Sequence, residues 1–454
     1  MRLRPFLLVG IAALALAGCA RSVPYAPLAA PALPGLGMAL TPGPVEEANR
    51  DIADDLVDLV FHPENGPDLD SLLRFEEPVR VALVGDGLEQ FGPDLDRLIA
   101  RMRAEAELDI ARTDTREAAN IRVTLAPKRQ MLEVFPGAQC FILPGLFTWS
   151  EFAIALRRNT LPRWEDLTSL TGATIFIPST STPNEIRECF EEEIAQAMGP
   201  ANDLFRLPET VFNDDNVYAT LTRFDLLILR VLYDPSLHSG MSREETRAAA
   251  LKVLDTVNPD GRRLPRRHSM APEPDWTILI NSLFEGGMSR DMKRYTLRAA
   301  LKLAVDFPQP DHRLAYTLDL LASLEYPDRP ALADGLLQRA LESLEEHFPE
   351  GDLRTATIRL YLAQTRLTLD HPDEALALVD AALPVFSAYA IPLNISHALH
   401  VRAGALTALG RSDEAVTNAI DSVRWARYAQ GADYSNLDAL QQRLENMRPP
   451  GPPG

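Results

Sequence analysis

The chain has 454 residues and carries 45 basic against 64 acidic side chains, a formal net charge of −19. That excess of acid argues against nucleic acid as a partner and against adsorption to anionic lipid. The length suggests two or three domains.

In chain order, the first nineteen residues bear on the compartment. Arg2 and Arg4 form a charged start, and the apolar run behind them is too short to span a bilayer comfortably. It ends in Leu16-Ala17-Gly18-Cys19, which resembles the lipobox of bacterial lipoproteins. The resemblance implies that residues 1–19 are a signal peptide and that Cys19 is lipidated, becoming the mature N-terminus. The alternative is an ordinary signal peptide or membrane anchor. By resemblance to Gram-negative lipoproteins, Ala20 in the next position implies the outer membrane, periplasmic side. No later segment is long and apolar enough to span, so the mature body is expected to be soluble and tethered. With Cys19 taken by lipid in an oxidising compartment, Cys140 and Cys189 are expected to form a disulfide; the alternative is two buried thiols.

Residues 20–45, rich in Pro, Ala and Gly, read as an extended tether. An α/β domain is expected over 46–260. It opens with helical spacing at Ile52, Leu56, Val57 and Val60. Strands are expected at 79–85, 120–127, 139–145 and 173–179, and a helix over 92–108 with Leu95, Leu98, Ile99 and Met102 on one face. An acidic helix then starts at Thr182-Pro183-Asn184-Glu185, with a Thr cap, Pro at the first helical position and Glu reaching back. It ends at Gly199-Pro200. Ile186, Phe190, Ile194, Ala197 and Met198 fall within an arc of about 120°, the core face, which Arg187 intrudes upon. Glu193 lies at the edge of that arc, where burial would raise its pKa.

Residues 261–289, which include the basic run Gly261 to His268, read as a solvated linker; the alternative for that run is an anionic contact or a protease-sensitive joint. A helical repeat domain follows over 290–447, with a disordered tail at 448–454. Forty residues separate Ala363 from Ala403, Asp373 from Asp413, Glu374 from Glu414 and Ala375 from Ala415. The pattern resembles tetratricopeptide-type helical hairpins, with a period longer than the usual ~34 residues. An irregular helical bundle is the alternative. His397 and His400, three apart on an expected helix, read as a core or solvated pair ahead of a metal site.

The acidic helix also resembles the active-site helix of metzincin proteases, whose pattern is HExxHxxGxx(H/D). Glu193 and Gly199 match it. The three ligand positions hold Glu192, Gln196 and Asn202 instead. "ANIRVTL" resembles the central strand of matrixins, and "LPETVFND" stands where a Met-turn would. Leu221, Asp225, Ile228 and Tyr233 resemble the matrixin C-terminal helix. The expected fold is therefore α+β, a metzincin-like mixed sheet with an active-site-type helix, followed by an all-α tetratricopeptide-like solenoid. "CFEEEIAQAMG", "NDLFRLPETVFND" and "LYDPSLHSGM" also resemble an uncharacterised family of alphaproteobacterial lipoproteins (domain of unknown function 2927), which implies no activity.

Catalytic zinc wants three protein ligands, usually imidazoles, and an open water position. Amide oxygens are poor zinc ligands, and the chain has no histidine between His62 and His238. The expectation is a domain without catalytic residues, metal or cofactor, whose remnant cleft beside Glu192, Glu193, Gln196 and Asn202 takes a peptide or nothing. The whole then reads as an outer-membrane-anchored adaptor whose repeats bind an envelope protein or peptide, with the lipid anchor as its membrane contact and no nucleic acid. Two alternatives stay open: a metallohydrolase with unusual ligands acting on envelope peptides, and a purely structural lipoprotein.

Overall fold

The structure, a computed structural model, describes residues 30–40, 44–63, 66–135, 138–213, 215, 217–266, 274–284, 287–307 and 311–431. Cys19 and its lipobox, the start of the tether, His268 and the tail lie outside the described residues.

Strands β1 (Val79–Val84), β2 (Ile110–Arg112), β3 (Ile121–Ala126), β4 (Phe141–Pro144) and β5 (Ala173–Pro178) form one sheet in the order β2-β1-β3-β5-β4. The first three pairings are parallel; β4 alone runs antiparallel, on β5. Every residue of β5 is buried, which fits a strand covered on both faces. Val81, Ile121, Val123, Ile175 and Ile177 face the main core, while Phe176 and Ala126 face a smaller one with Met131 and Phe152. The helices α2 (Gly92–Glu105) and α5 (Pro183–Gln196) belong to the main core. The second face is covered by α3 (Lys128–Val134) and α4 (Trp149–Arg158). The four expected strands are present; β2 is an addition.

In the same core, α1 (Asn49–Phe61) packs on α7 (Arg243–Val257), and α6 (Arg223–Leu232) contacts α1, α7 and α2. A helical region follows: α8 (Pro274–Ser282), α9 (Arg290–Val305), α10 (His312–Glu325), α11 (Pro330–His347), α12 (Leu353–Thr368), α13 (Pro372–Ala388), α14 (Pro392–Ala408) and α15 (Ser412–Gln430). Successive helices pack on one another, and α12 also packs directly on α14. The forty-residue echo has a structural basis. Ala363 and Ala403, and Ala375 and Ala415, are buried at equivalent positions where helices approach. Asp370 and Gly410, also forty apart, both adopt positive φ (66° and 74°) after the first helix of each hairpin.

Two stretches read as connecting chain carry packed structure. Within 261–289, α8 buries Trp276 and Ile280 in the core of the helical region. Within 20–45, Leu33 and Leu36 pack against the main core, and the Gly37 N–H donates to the Ser387 carbonyl at 2.9 Å. The main core is continuous across the chain: Ala356, Ala363, Val379, Phe386 and Trp425 join the same cluster as the sheet. Among the described residues, no helix is long and apolar enough to cross a membrane.

Candidate functional site

The acidic helix forms as its start signals require. Thr182 accepts from the Glu185 N–H at 3.3 Å, and Glu185 Oε2 accepts from the Thr182 N–H at 2.6 Å. Its carboxylates then divide by environment. Glu188 accepts from the Asn184 amide at 2.7 Å, yet burial wins over that bond and pushes its carboxyl up to about 7. Glu191 accepts from the Leu221 N–H at 2.8 Å and is also raised by burial. Arg187 meets Asp94 at 3.1 Å and lies 4.2 Å over the Tyr428 ring, so the charge that intrudes on the core face is matched from both sides.

Glu192, Glu193 and Gln196 line one wall of a cleft of about 850 Å³. Glu193 is buried, as its place at the edge of the apolar arc suggests. The edge strand β4 forms another wall, and Trp164, Phe205 and Phe284 also line the cleft. A disulfide joins Cys140, at the foot of β4, to Cys189 on α5. It ties the two walls together.

Among the described residues, β4 has one neighbouring strand. The Gly145 N–H donates to the Gly172 carbonyl at 2.7 Å. By the two-residue alternation of an antiparallel ladder, Phe141 and Leu143 bond to β5 while Ile142 turns its N–H and C=O away from it. Pro144 falls on the outward set, where its missing N–H costs no ladder bond.

The far end of α5 is held by close packing. Gly199 has φ +136°, and a Cβ there would meet Leu232 Cδ2 and the Leu73 carbonyl, each at 3.0 Å. The Tyr233 hydroxyl donates to the Met198 carbonyl at 2.9 Å, and Arg74 Nη1 donates to the Leu232 carbonyl at 2.7 Å. Asp225, fully buried on α6, accepts from the N–H groups of Val211 and Thr222 at 3.2 and 2.7 Å and from the Thr210 hydroxyl. Burial outweighs these bonds and pushes its carboxyl up to about 6. So Asp225 fixes the loop after α5 and Tyr233 the last turn of α5 itself, while Leu221 and Ile228 are buried in the same core.

The ligand-position residues do not converge. Gln196 Nε2 donates to both carboxylate oxygens of Asp203 at 3.1 Å. Asn202 is not among the cleft residues, and its amide donates to the Asp58 carbonyl at 3.0 Å. Among the described residues, no histidine lines the cleft, and no group of three His, Cys, Asp or Glu side chains is placed to hold a metal. One carboxylate and two amides already engaged do not fit a catalytic zinc. Sequence reasoning missed Asp203, whose signal was an acid seven residues after Gln196. It also missed Phe205, which carries no local signal.

The fold and site define an α/β unit with a helix-and-strand cleft, followed by a packed helical region. Residues 49–252 match the model of a family described as a protein of unknown function, DUF2927. No curated protein matches. A solved structure, BtubC (BKLC) from P. vanneervenii, is similar at 17% identity over 46% of this chain and 86% of that one, with a TM-score of 0.29.

Proposed function

We propose that this chain is an outer-membrane-anchored periplasmic lipoprotein that acts as a non-catalytic adaptor. Its α/β unit is a metzincin-like frame without a zinc grip, and its tetratricopeptide-like helices bind a protein partner. The cleft takes an extended segment that adds to β4 by strand pairing. The observation that carries this reading is the Gln196–Asp203 pair on a cleft whose other wall is an open strand edge. The amide at a ligand position is committed to a carboxylate, while Ile142 offers backbone groups to an incoming strand.

The experiment is site-specific photocrosslinking in cells with the full chain. A crosslinker at Leu161, on the cleft wall, should capture a peptide or protein that Ile142→Pro abolishes, because proline removes the outward N–H and leaves the ladder to β5 intact. Capture that survives this substitution would remove the cleft from the account. Loss of membrane attachment in Cys19→Ser tests the anchor.

A further inference from the structure

The acids of α10 are treated unequally. Glu325 is buried and gripped by Arg294 at 2.8 Å and by Arg329. Asp311, at the cap, pairs with Arg313 at 2.7 Å. Asp319, midway between them, has no such partner. Its Oδ1 is sealed from solvent and makes no hydrogen bond, while the residue as a whole stays partly accessible. A sealed carboxyl oxygen left unmatched is costly, and among the described residues cations meet both neighbouring acids of the helix but not this one.

The surroundings point to what would match it. Tyr361 on α12 is close enough that, after burial, the charge of Asp319 helps to push its phenol up to about 12. The Tyr361 ring lies 6.2 Å from that of His397 on α14. Burial, then neighbouring His400, lowers His397 to about 4, so it is a neutral ring at neutral pH. Asp319, Tyr361 and His397 are thus successive neighbours, one each on α10, α12 and α14. The first turns of α10 and α12 meet the α/β unit instead, where His312 and Arg354 donate to the Phe205 and Pro208 carbonyls. An acceptor flanked by aromatic rings suits a cation with an alkyl stem.

We infer that the face built by α10, α12 and α14 binds a lysine or arginine side chain of a partner protein, with Asp319 as its acceptor and Tyr361 and His397 as aromatic neighbours. This deepens the adaptor reading and rests on it for the partner being a protein. The bond is charge-assisted, and the partner's cation meets the carboxylate from the side of Asp319 that stays accessible.

The test titrates full-length protein with fluorescent (Gly-Lys)3, (Gly-Arg)3 and (Gly-Gln)3 peptides. It is run at about 0.3 M salt, which screens the general acidity of the chain. The two basic peptides should bind and the glutamine peptide should not. Asp319→Asn should weaken them by about tenfold or more, and Tyr361→Ala less. Asp421→Asn, at an exposed acid paired with Arg424, should leave binding unchanged. Equal binding by Asp319→Asn and wild type, or no binding of either basic peptide, would overturn the inference. Partner capture in cells is read separately. A partner held equally by Asp319→Asn leaves the adaptor reading standing and removes this site; a wild type that captures nothing removes the adaptor reading, while the peptide titration still decides the site.

Discussion

His312 Nε2 lies 2.6 Å from the carbonyl oxygen of Phe205, joining the first turn of α10 to the wall of the cleft. Burial, reinforced by the Arg354 charge, lowers this imidazole to about 3, so it is neutral and donates from Nε2. Phe205 itself stacks edge-on to Trp276 at 5.3 Å. The helical region therefore builds part of the cleft as well as following it in sequence.

A first consequence concerns cooperativity. The main core runs from the sheet into α12, α13, α14 and α15, so calorimetry of the full chain should show one dominant transition. A chain cut after residue 260 should not fold. His312→Ala should lower stability by about 1–3 kcal/mol through the unmatched Phe205 carbonyl. Two separated transitions, one unaffected by His312→Ala, would contradict the shared core.

Gly199→Ala should destabilise by about 1–3 kcal/mol. The backbone there has φ +136°, and the new methyl meets a carbonyl oxygen and Leu232 at 3.0 Å. Thermal unfolding checks this, and loss of peptide crosslinking in the cleft should accompany it because α5 sets one wall.

Asp225→Ala leaves the Val211 and Thr222 N–H groups and the Thr210 hydroxyl without their acceptor. A loss of about 3 kcal/mol or more in chemical denaturation is expected. A loss under about 0.5 kcal/mol, the size of an ordinary surface change, would show that the loop after α5 is held some other way.

The pH dependence of stability should single out Asp319. Burial raises its carboxyl to about 7 in the folded chain, against 3.8 for an ordinary aspartate. A folded-state value above the unfolded one means the folded chain holds the proton more tightly. Stability from this group is complete below about pH 4 and is lost as pH rises towards 7. Asp319→Asn removes that loss, so its stability relative to wild type should improve between pH 5 and pH 8, by on the order of 1–3 kcal/mol. Urea midpoints at the two pH values measure it; a difference that stays constant would place the carboxyl in solvent.

Much of the frame was legible in the residues because single local signals decided it. β1, β3 and β5 are β-branched runs, and α5 carries its own start and stop. The Cys140–Cys189 bond followed from cysteine count and the compartment read from the first nineteen residues. What escaped depended on tertiary partners or short length. β2 has three residues, too few to show a period, and exists because Val79 to Val81 pair with it. The packing of Leu33 and Leu36, and of Trp276 in α8, depends on surfaces contributed by α13 and α10. At the site, Glu193 is buried, as its angle on the helix suggests. Asn202 lies apart from the cleft lining, its amide drawn to Asp58, a partner far away in sequence that no local signal reveals.

The most direct measurement is the transition-metal content of the native full-length protein after equilibration with zinc and removal of free ion. Gln196 held by Asp203, and Asn202 turned to Asp58, leave too few ligands, so content well below about one ion per chain is expected. Tight zinc near one per chain that is lost in Gln196→Ala would contradict the account.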